Sequence, residues 1–350
     1  MNPVHFFEFG KPIWKPHTVS LFGSLGGTVV KHHKSVKAPN GKIYCIPFNS
    51  TSIRVIDPSN DTTYTFGSFS GLNAYSSAVL APNGKIYCIP FSATNILVID
   101  PSNDTTYTFG SFASGGSKYV SCKLATNGKI YCTPNTATNI LVIDPSNDTT
   151  YTFGSFSSSA DKWSNSVLSK INNKIYCIPH NTSAVLVIDT SNDTTTTFGS
   201  FGGSYNYISA AQDLNGLIYC CGGNATDIKV IDPSNNSVTS FGVLLSGYKW
   251  LGLVMGLNGN FFGIPSSSNS IVEIDPIRKK LRIFGSLTTS SDKWRHSSIS
   301  DDGNIYMTPS NSAQVLKLSN INNPNVTSNK HLIPMTLSNL PTSDYNYYYN

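Results

Sequence analysis

One eight-residue phrase recurs through this sequence at an almost constant interval. NGKIYCIP occurs twice unchanged, and NGKIYCTP and NNKIYCIP follow it. The first residue of the phrase has an equivalent in seven places, namely Asn40, Asn83, Asn127, Asn172, Asn215, Asn258 and Asp302. The steps between them are 43, 44, 45, 43, 43 and 44 residues. This regularity predicts a repeat architecture, in which each unit buries its faces against its neighbours.

Each unit contains four short runs of β-forming residues. In the unit at 75–110 these runs are YSSAVLA, KIYCIP, ILVID and TTYTFG. Asn-Gly separates the first two runs and predicts a type I′ hairpin turn, which needs positive φ at both central residues. Pro-Ser-Asn-Asp separates the last two runs, and both Pro and Asp are typical turn formers. Four strands in each repeat of this length are typical of a β-propeller blade.

The sequence therefore predicts an all-β fold, a seven-bladed β-propeller with four antiparallel strands per blade. The last unit supplies only three strands, whereas an unmatched strand, HTVSLFGS at 17–24, precedes the first complete unit. We expect this N-terminal strand to complete the last blade and close the ring. A second possibility for closure is KHLIPMTL at 330–337. The predicted domains are an N-terminal arm at 1–16, the propeller at 17–319 and a C-terminal tail at 320–350.

Composition and charge narrow the classes of partner. Only 12% of the 350 residues are charged, the formal net charge is +5, and there are four arginines. This bias is smaller than that expected of a nucleic-acid-binding domain, so no specific nucleic-acid partner is predicted. No apolar run is long enough for a signal peptide or a membrane span. We expect a soluble protein without membrane insertion, cytoplasmic or virion-associated.

The unit NGKIYCIP…ILVIDPSNDTTYTFGS resembles the repeats of seven-bladed propellers of the virginiamycin B lyase and gluconolactonase type. The resemblance covers about residues 17–319. Similar Asn-rich arrays are familiar from protists and large DNA viruses, which suggests a virion component. The resemblance implies a divalent metal, held with a His and a Glu in lyase-like members and with Glu, Asn and Asp near the axis in lactonase-like members. This chain has only two glutamates, Glu8 and Glu273, and neither falls at such a position.

Two repeated residue types have a structural explanation. Five cysteines take the same position in successive units and are predicted to be small buried core residues, since equivalent strands of neighbouring blades lie too far apart for disulfides. Six aspartates end the third run of successive units, and we expect each to form an Asx turn. The seven histidines show no converging metal-ligand pattern. The sequence therefore predicts no catalytic residue, no metal and no cofactor.

An aromatic series precedes each hairpin turn by eight or nine residues. Its members, the rim rings, are His32, Tyr75, Tyr119, Trp163, Tyr207, Trp250 and Trp294. A lysine, here called a rim lysine, directly precedes five of them, at Lys31, Lys118, Lys162, Lys249 and Lys293. In a propeller this is the entry to each innermost strand, beside one mouth of the central channel. Such a rim could bind sugars, anionic groups or a peptide, or the rings could pack between blades.

The leading functional hypothesis is a non-enzymatic interaction scaffold that binds a protein or glycan partner at the channel-mouth face. DPSNDTTYTFGSF occurs unaltered three times, and copies present like groups around a ring, whereas a catalytic centre needs unlike groups at one point. The alternatives are a divergent lyase- or lactonase-like metal-dependent enzyme and a structural component of a larger assembly such as a virion.

Overall fold

A computed structural model describes residues 16–26, 30–69, 72–202, 205–244 and 247–321. These residues form seven four-stranded antiparallel sheets arranged as the blades of a propeller. No helix occurs among them, and so none that could cross a membrane. The predicted fold class is confirmed.

The first four blades follow one another along the chain. Blade 1 consists of β2 (His32–Lys37), β3 (Ile43–Pro47), β4 (Ile53–Asp57) and β5 (Thr62–Phe66). Blade 2 consists of β6 (Tyr75–Leu80), β7 (Ile86–Pro90), β8 (Ile96–Asp100) and β9 (Thr105–Phe109). Blade 3 consists of β10 (Tyr119–Leu124), β11 (Ile130–Pro134), β12 (Ile140–Asp144) and β13 (Thr149–Phe153). Blade 4 consists of β14 (Trp163–Leu168), β15 (Ile175–Pro179), β16 (Val185–Asp189) and β17 (Thr194–Phe198).

The last three blades complete the ring. Blade 5 consists of β18 (Ser209–Gln212), β19 (Ile218–Cys221), β20 (Ile228–Asp232) and β21 (Ser237–Phe241). Blade 6 consists of β22 (Trp250–Met255), β23 (Phe261–Pro265), β24 (Ile271–Asp275) and β25 (Lys280–Phe284). Blade 7 combines three C-terminal strands with one N-terminal strand, namely β26 (Trp294–Ile299), β27 (Ile305–Pro309), β28 (Val315–Ser319) and β1 (Thr18–Phe22).

The ring closes through the N-terminal strand, as predicted. Strand β1 pairs with β28 in register from Thr18 opposite Ser319 to Phe22 opposite Val315. The innermost strands contact one another in sequence, and β2 contacts β26, so the seventh blade packs against the first. The alternative closing segment at 330–337 lies outside the described residues, as do most of the predicted arm and tail.

The core lies in the second and third strands of each blade. In β7 all five residues are buried, and in β8 only the terminal Asp100 is not. This follows from the continuous apolar sequence of these strands, which are covered by the neighbouring blades on both faces. All seven cysteines are buried thiols without disulfides, which confirms the core prediction for the five repeated ones. Burial raises the pKa of the Cys45 thiol to about 12.

The hairpin turn differs from the prediction. Gly41 has a φ of 79°, but Asn40 is not among the residues with positive φ, so the turn is not type I′. The Ala38 N–H donates to the Lys42 carbonyl at 2.9 Å and the Gly41 N–H donates to the Ala38 carbonyl at 3.0 Å. The loop therefore has three central residues, with glycine alone in the left-handed region. Pro39 suits the first of these positions because its φ is fixed near −65°.

The Asx-turn prediction is confirmed in all six blades that have this turn. The Asp57 carboxylate accepts from the Ser59 N–H at 3.0 Å, and Asp100, Asp144, Asp189, Asp232 and Asp275 accept equivalent bonds. Hydrogen bonds from Ser59, which outweigh a small effect of burial, lower the pKa of Asp57. These carboxylates therefore stabilise the turn between the third and fourth strands.

The last residue of the same turn has a second role, which links neighbouring blades. Its φ is positive at Asp104, Asp148 and Asp193. The Tyr87 hydroxyl donates to the Asp148 carboxylate of the next blade at 2.7 Å. Five junctions have this inter-blade tyrosine bond, with the donors Tyr44, Tyr87, Tyr131, Tyr176 and Tyr306. The repeated Tyr of NGKIYCIP therefore holds the ring together as well as filling the core.

Blade 6 has Phe262 at the position of the inter-blade tyrosine. The structure of blade 7, against which blade 6 packs, explains why no tyrosine is needed there. The third and outermost strands of blade 7 come from opposite ends of the chain, so no turn supplies a carboxylate there. Instead, the buried Glu273 accepts from His17 Nε2 at 3.1 Å, from Arg282 Nε at 3.0 Å and from Asn260 Nδ2 at 2.7 Å. This network ties blade 6 to the N-terminal segment that completes blade 7.

Loss of one inter-blade tyrosine bond should destabilise the ring measurably. For Tyr87→Phe we expect the free energy of unfolding to fall by about 1.5–3 kcal/mol, because the bond has a charged acceptor and its loss leaves a partly buried carboxylate. Urea denaturation followed by circular dichroism measures this difference. Tyr107→Phe is the control, since its hydroxyl donates to the other oxygen of Asp148 from an exposed side chain. Equal effects of the two substitutions would contradict the interpretation.

Candidate functional site

The rim rings are part of the packed interior of the blades. All seven are buried, with exposures between 1% for His32 and 5% for Tyr75 and Trp163. Their polar atoms bond within their own blade: Trp294 Nε1 donates to the Gln314 carbonyl at 2.9 Å, and the Tyr119 hydroxyl donates to the Asn139 side chain at 2.8 Å. The packing interpretation therefore accounts for their contacts, and direct binding by these rings stays a prediction.

Three of the rim lysines, Lys31, Lys162 and Lys293, join neighbouring blades through their ammonium groups. Lys31, Lys162 and Lys293 are buried, and Lys118 and Lys249 are half-buried. Lys162 Nζ donates to the Asn135 carbonyl of the preceding blade at 2.6 Å, and Lys293 Nζ donates to the Ser266 carbonyl at 2.8 Å. Burial lowers the pKa of Lys162 and, together with Lys249, that of Lys293. Like the rings, these ammonium groups have structural partners, and their role in binding stays a prediction.

A cavity of about 510 Å³ opens at the axis beside the rim rings. Its walls come from the residues that follow each ring, from residues shortly before some rings, such as Asp161 and Asp292, and from the polar connections after the second strands. The groups with hydrogen-bonding or ionisable side chains include His33, Lys34, Ser76, Ser77, Ser121, Asn135, Asp161, Ser164, Asn165, His180, Tyr248, Asp292, Arg295 and His296. Asn135 and His180 contribute to the cavity from the connections that follow β11 and β15.

A β-bulge directs the cavity residues toward the axis. The register of the first two strands shifts directly after the ring in six blades, for example between Trp163 and Asn165 and between Trp294 and His296. Such a bulge leaves one residue unpaired and re-aims its side chain. The residue directly after each ring lines the cavity in every blade, at His33, Ser76, Val120, Ser164, Ile208, Leu251 and Arg295.

The cavity collects unlike groups, whereas the outer strands repeat. At the bulged position, blades 1 and 7 present His33 and Arg295, blades 2 and 4 present serines, and the others present aliphatic residues. Sequence analysis assigned the site to the rings and missed this position directly after them. The available signal was the break in the repeat itself, since the residues directly after the rings vary strongly whereas the ring position is always His, Tyr or Trp.

Lys34 and His296 are in direct contact on the cavity wall. Lys34 Nζ lies 2.7 Å from His296 Nε2. Burial and then the positive charge of Lys123 hold the pKa of Lys34 well below its ordinary value. Burial and then Lys34 and Lys123 lower the pKa of His296 in the same way. The histidine is therefore neutral near pH 7, with its second nitrogen, Nδ1, unpartnered within the described residues.

Two further histidines have ring contacts but unused nitrogen atoms. His33 stacks on Phe48 with ring centroids 3.4 Å apart, and His180 meets Tyr205 edge to face at 4.9 Å. Burial, with Arg295 as a second cause for His33, lowers the pKa of both imidazoles. Nε2 of each is buried and has no hydrogen-bond partner in the part of the chain that the structure describes. Buried polar atoms of this kind favour a ligand or water in the cavity.

The cavity carboxylates are paired within the protein. Asp292 lies 3.1 Å from the Arg295 guanidinium, and Asp161 accepts from Asn135 Nδ2 at 3.1 Å. Across the described residues, no three His, Cys, Asp or Glu side chains converge as metal ligands. Glu273 is used at the blade 6–7 junction, in a third strand. The residues present therefore do not fit the metal site that the family resemblance implies.

Comparison with solved structures shows the same fold at low sequence identity. Virginiamycin B lyase from Staphylococcus aureus matches with a TM-score of 0.74 and 12% identity, over 87% of this chain and 99% of that one. The chain has a virginiamycin B lyase-like β-propeller fold. A catalytically inactive histidine-to-alanine variant of that enzyme, solved with quinupristin, matches equally well, with a TM-score of 0.74.

The fold is also similar to that of a protein described as a different enzyme. Hydrazine synthase from Kuenenia stuttgartiensis matches with a TM-score of 0.64 and 12% identity, over 84% of this chain and 97% of that one. No protein-family model and no curated protein matches the sequence. At this identity the likeness extends to the fold, and function has to be argued from the site.

Proposed function

We propose that this protein is a non-enzymatic binding propeller, in which a protein loop or a glycan of the partner enters the axial cavity at the channel mouth. The observation that carries the proposal is the cavity of about 510 Å³. Its volume lies within the range of ligand pockets, roughly 300–1,000 Å³. The rim rings and rim lysines would support the lining residues, which directly follow the rings in the sequence.

The distribution of variation among the blades supports this proposal. Seven blades share nearly the same second and third strands, which the fold requires, but they present different kinds of side chain to the cavity, including imidazole, guanidinium, hydroxyl and aliphatic groups. His33 Nε2, His180 Nε2 and His296 Nδ1 lack hydrogen-bond partners in the described ranges. Polar ligands fix their orientation through a few such groups in an otherwise packed pocket.

Filling the cavity tests the proposal without removing a polar partner. Val120→Trp places a large ring in the wall, and Val243→Trp, at a position 87% exposed outside the cavity, is the matched control. Both variants and the wild type are exposed to a glycan array and a peptide library. We expect Val120→Trp to lose wild-type binding at least tenfold and Val243→Trp to retain it. Undiminished binding by a folded Val120→Trp protein would refute the proposal.

The second candidate is a divergent lyase-like enzyme, which the Lys34–His296 contact favours because burial lowers the pKa values of both groups, as is common among acid–base residues. Crystals soaked in Mg²⁺, Ca²⁺ or Zn²⁺ separate the two candidates: an axial ion with three or more protein ligands would contradict the scaffold.

A third candidate is a building block of a larger assembly, favoured by the exposed threonines repeated in β5, β9 and β13. A strict monomer at all concentrations in size-exclusion chromatography would count against it.

A further inference from the structure

Blades 1 and 7 carry nitrogen bases at a position where the other blades carry small or neutral side chains. The residue two after each rim ring is Lys34, Ser77, Ser121, Asn165, Ser209, Gly252 or His296. All seven blades form the same four-stranded sheet. The repeats thus act as internal controls, and they show that the fold itself requires neither Lys34 nor His296.

A third nitrogen base occurs two positions further along the innermost strand, in blade 3. The equivalent residues are Val36, Val79, Lys123, Val167, Ala211, Val254 and Ser298. Lys123 is 7% exposed, and its charge lowers the pKa of both Lys34 and His296. Four of the other six blades carry valine at this position, so the fold itself does not require an ammonium group there.

Positively charged groups outnumber unpaired negative groups around the Lys34 ammonium. The Lys34 ammonium forms no ion pair with a carboxylate in the described ranges of the chain, and its polar contact is His296 Nε2. Of the cavity carboxylates, Asp292 is paired with Arg295 and Asp161 with Asn135. The remaining titratable groups on the cavity wall are His33, His180 and Tyr248, all uncharged near pH 7. The Cys122 thiol, which interacts electrostatically with both lysines, is also neutral because burial raises its pKa.

We infer that Lys34, Lys123 and His296, the axial basic cluster, bind an oxyanion of the ligand, such as a carboxylate, sulfate or phosphate group. The inference rests on the proposed function and names the part of the ligand that reaches deepest. When Lys34 donates to His296 Nε2, the imidazole proton is on Nδ1, which is then available to an anion together with the other ammonium protons of Lys34. Bound negative charge would also relieve the repulsion between the two lysines.

Anion binding at this cluster is coupled to proton uptake. Burial lowers the pKa of Lys123 to about 8. An anion favours the charged form of each lysine, so the affinity is highest below the lysine pKa values and decreases as the pH rises through them. We expect sulfate to bind more weakly at pH 9 than at pH 6.5, at constant ionic strength.

The test uses the full chain and three probes: sodium sulfate, inorganic phosphate and sodium acetate, each compared with sodium chloride at equal ionic strength. Isothermal titration calorimetry and thermal denaturation measure binding. The variants Lys34→Ser, Lys123→Val and His296→Ser introduce residues that sister blades already carry at these positions, so they are expected to fold. Each should weaken oxyanion binding roughly tenfold or more, since a hydrogen bond to a charged group is lost. Lys280→Ser, at an exposed position on β25, is the charge-matched control.

The outcomes separate this inference from the proposed function. Unchanged sulfate and phosphate binding in all three cluster variants, or loss equal to that of Lys280→Ser, would overturn the inference. If Val120→Trp abolishes glycan or peptide binding while the cluster variants retain it, the cavity is a binding site but the oxyanion assignment is wrong. If the cluster variants lose both sulfate and glycan or peptide binding, both proposals are supported. A preference for acetate over phosphate would identify the oxyanion as a carboxylate.

Discussion

Removal of residues 1–24 is expected to open the propeller and to lower its free energy of unfolding by on the order of 5 kcal/mol, a third or more of the total for a typical domain. The deletion removes β1 and leaves the backbone of β28 unpaired at an exposed edge. It also removes the contact of Phe22 with Tyr306, at a ring distance of 6.0 Å, and the bond from His17 to Glu273. Differential scanning calorimetry should show a lower and broader transition.

A shorter deletion provides the control for this experiment. Removal of residues 1–15 keeps His17 and β1, and we expect its melting temperature to match that of the full chain. Identical melting of the two truncated proteins would contradict the role of β1 in closure. Aggregation of only the longer deletion would agree with an exposed strand edge, since unpaired edges recruit other chains.

The second large effect is expected at Trp294, the rim ring of blade 7. Its side chain is 2% exposed and packs in the core cluster that includes Phe262 and Met307. Trp294→Ala should lower the free energy of unfolding by about 3–5 kcal/mol, because it removes buried apolar contacts and leaves a cavity. Chemical denaturation monitored by near-ultraviolet circular dichroism measures this change.

Trp294→Phe separates packing from hydrogen bonding at the same position. It keeps most of the ring volume but removes the bond from Nε1 to the Gln314 carbonyl. We expect a loss of only about 1 kcal/mol, the usual contribution of one such hydrogen bond. If Trp294→Ala were as stable as the wild type and lost only ligand binding, the ring would be a binding residue, and the packing interpretation would be wrong.

Much of the fold could be predicted because each blade repeats the same turn residues and the same apolar strand sequences. Regular spacing of hairpin turns, apolar third strands and Asp-Pro turns indicated four strands per unit, and seven copies indicated the ring. The type of hairpin turn was predicted incorrectly. Asn40 lacks positive φ, since Pro39 and Asn40 together with Gly41 form a longer loop, and its side chain donates to the Pro101 carbonyl of the next blade. That contact exists only after two blades have packed.

The candidate site was predicted less well than the fold. The rim rings were located beside the channel, but the structure assigns the cavity wall to the residues that follow them. The inter-blade tyrosine bonds were also missed, because Tyr87 and Asp148 are 61 residues apart in the chain and belong to different blades. Neither relation leaves a local pattern in the sequence.

The amino-acid sequence by itself determined the repeat, the number of blades and the strand that closes them, because each depends on local turn chemistry and on apolar faces that must be covered. Only the tertiary structure decided which side chains meet at the axis. In six blades a bulge after the ring turns the chain so that side chains reach the channel, and ring closure brings Lys34 of the first blade to His296 of the last. Residues separated by 262 positions become neighbours through the packing of the whole ring.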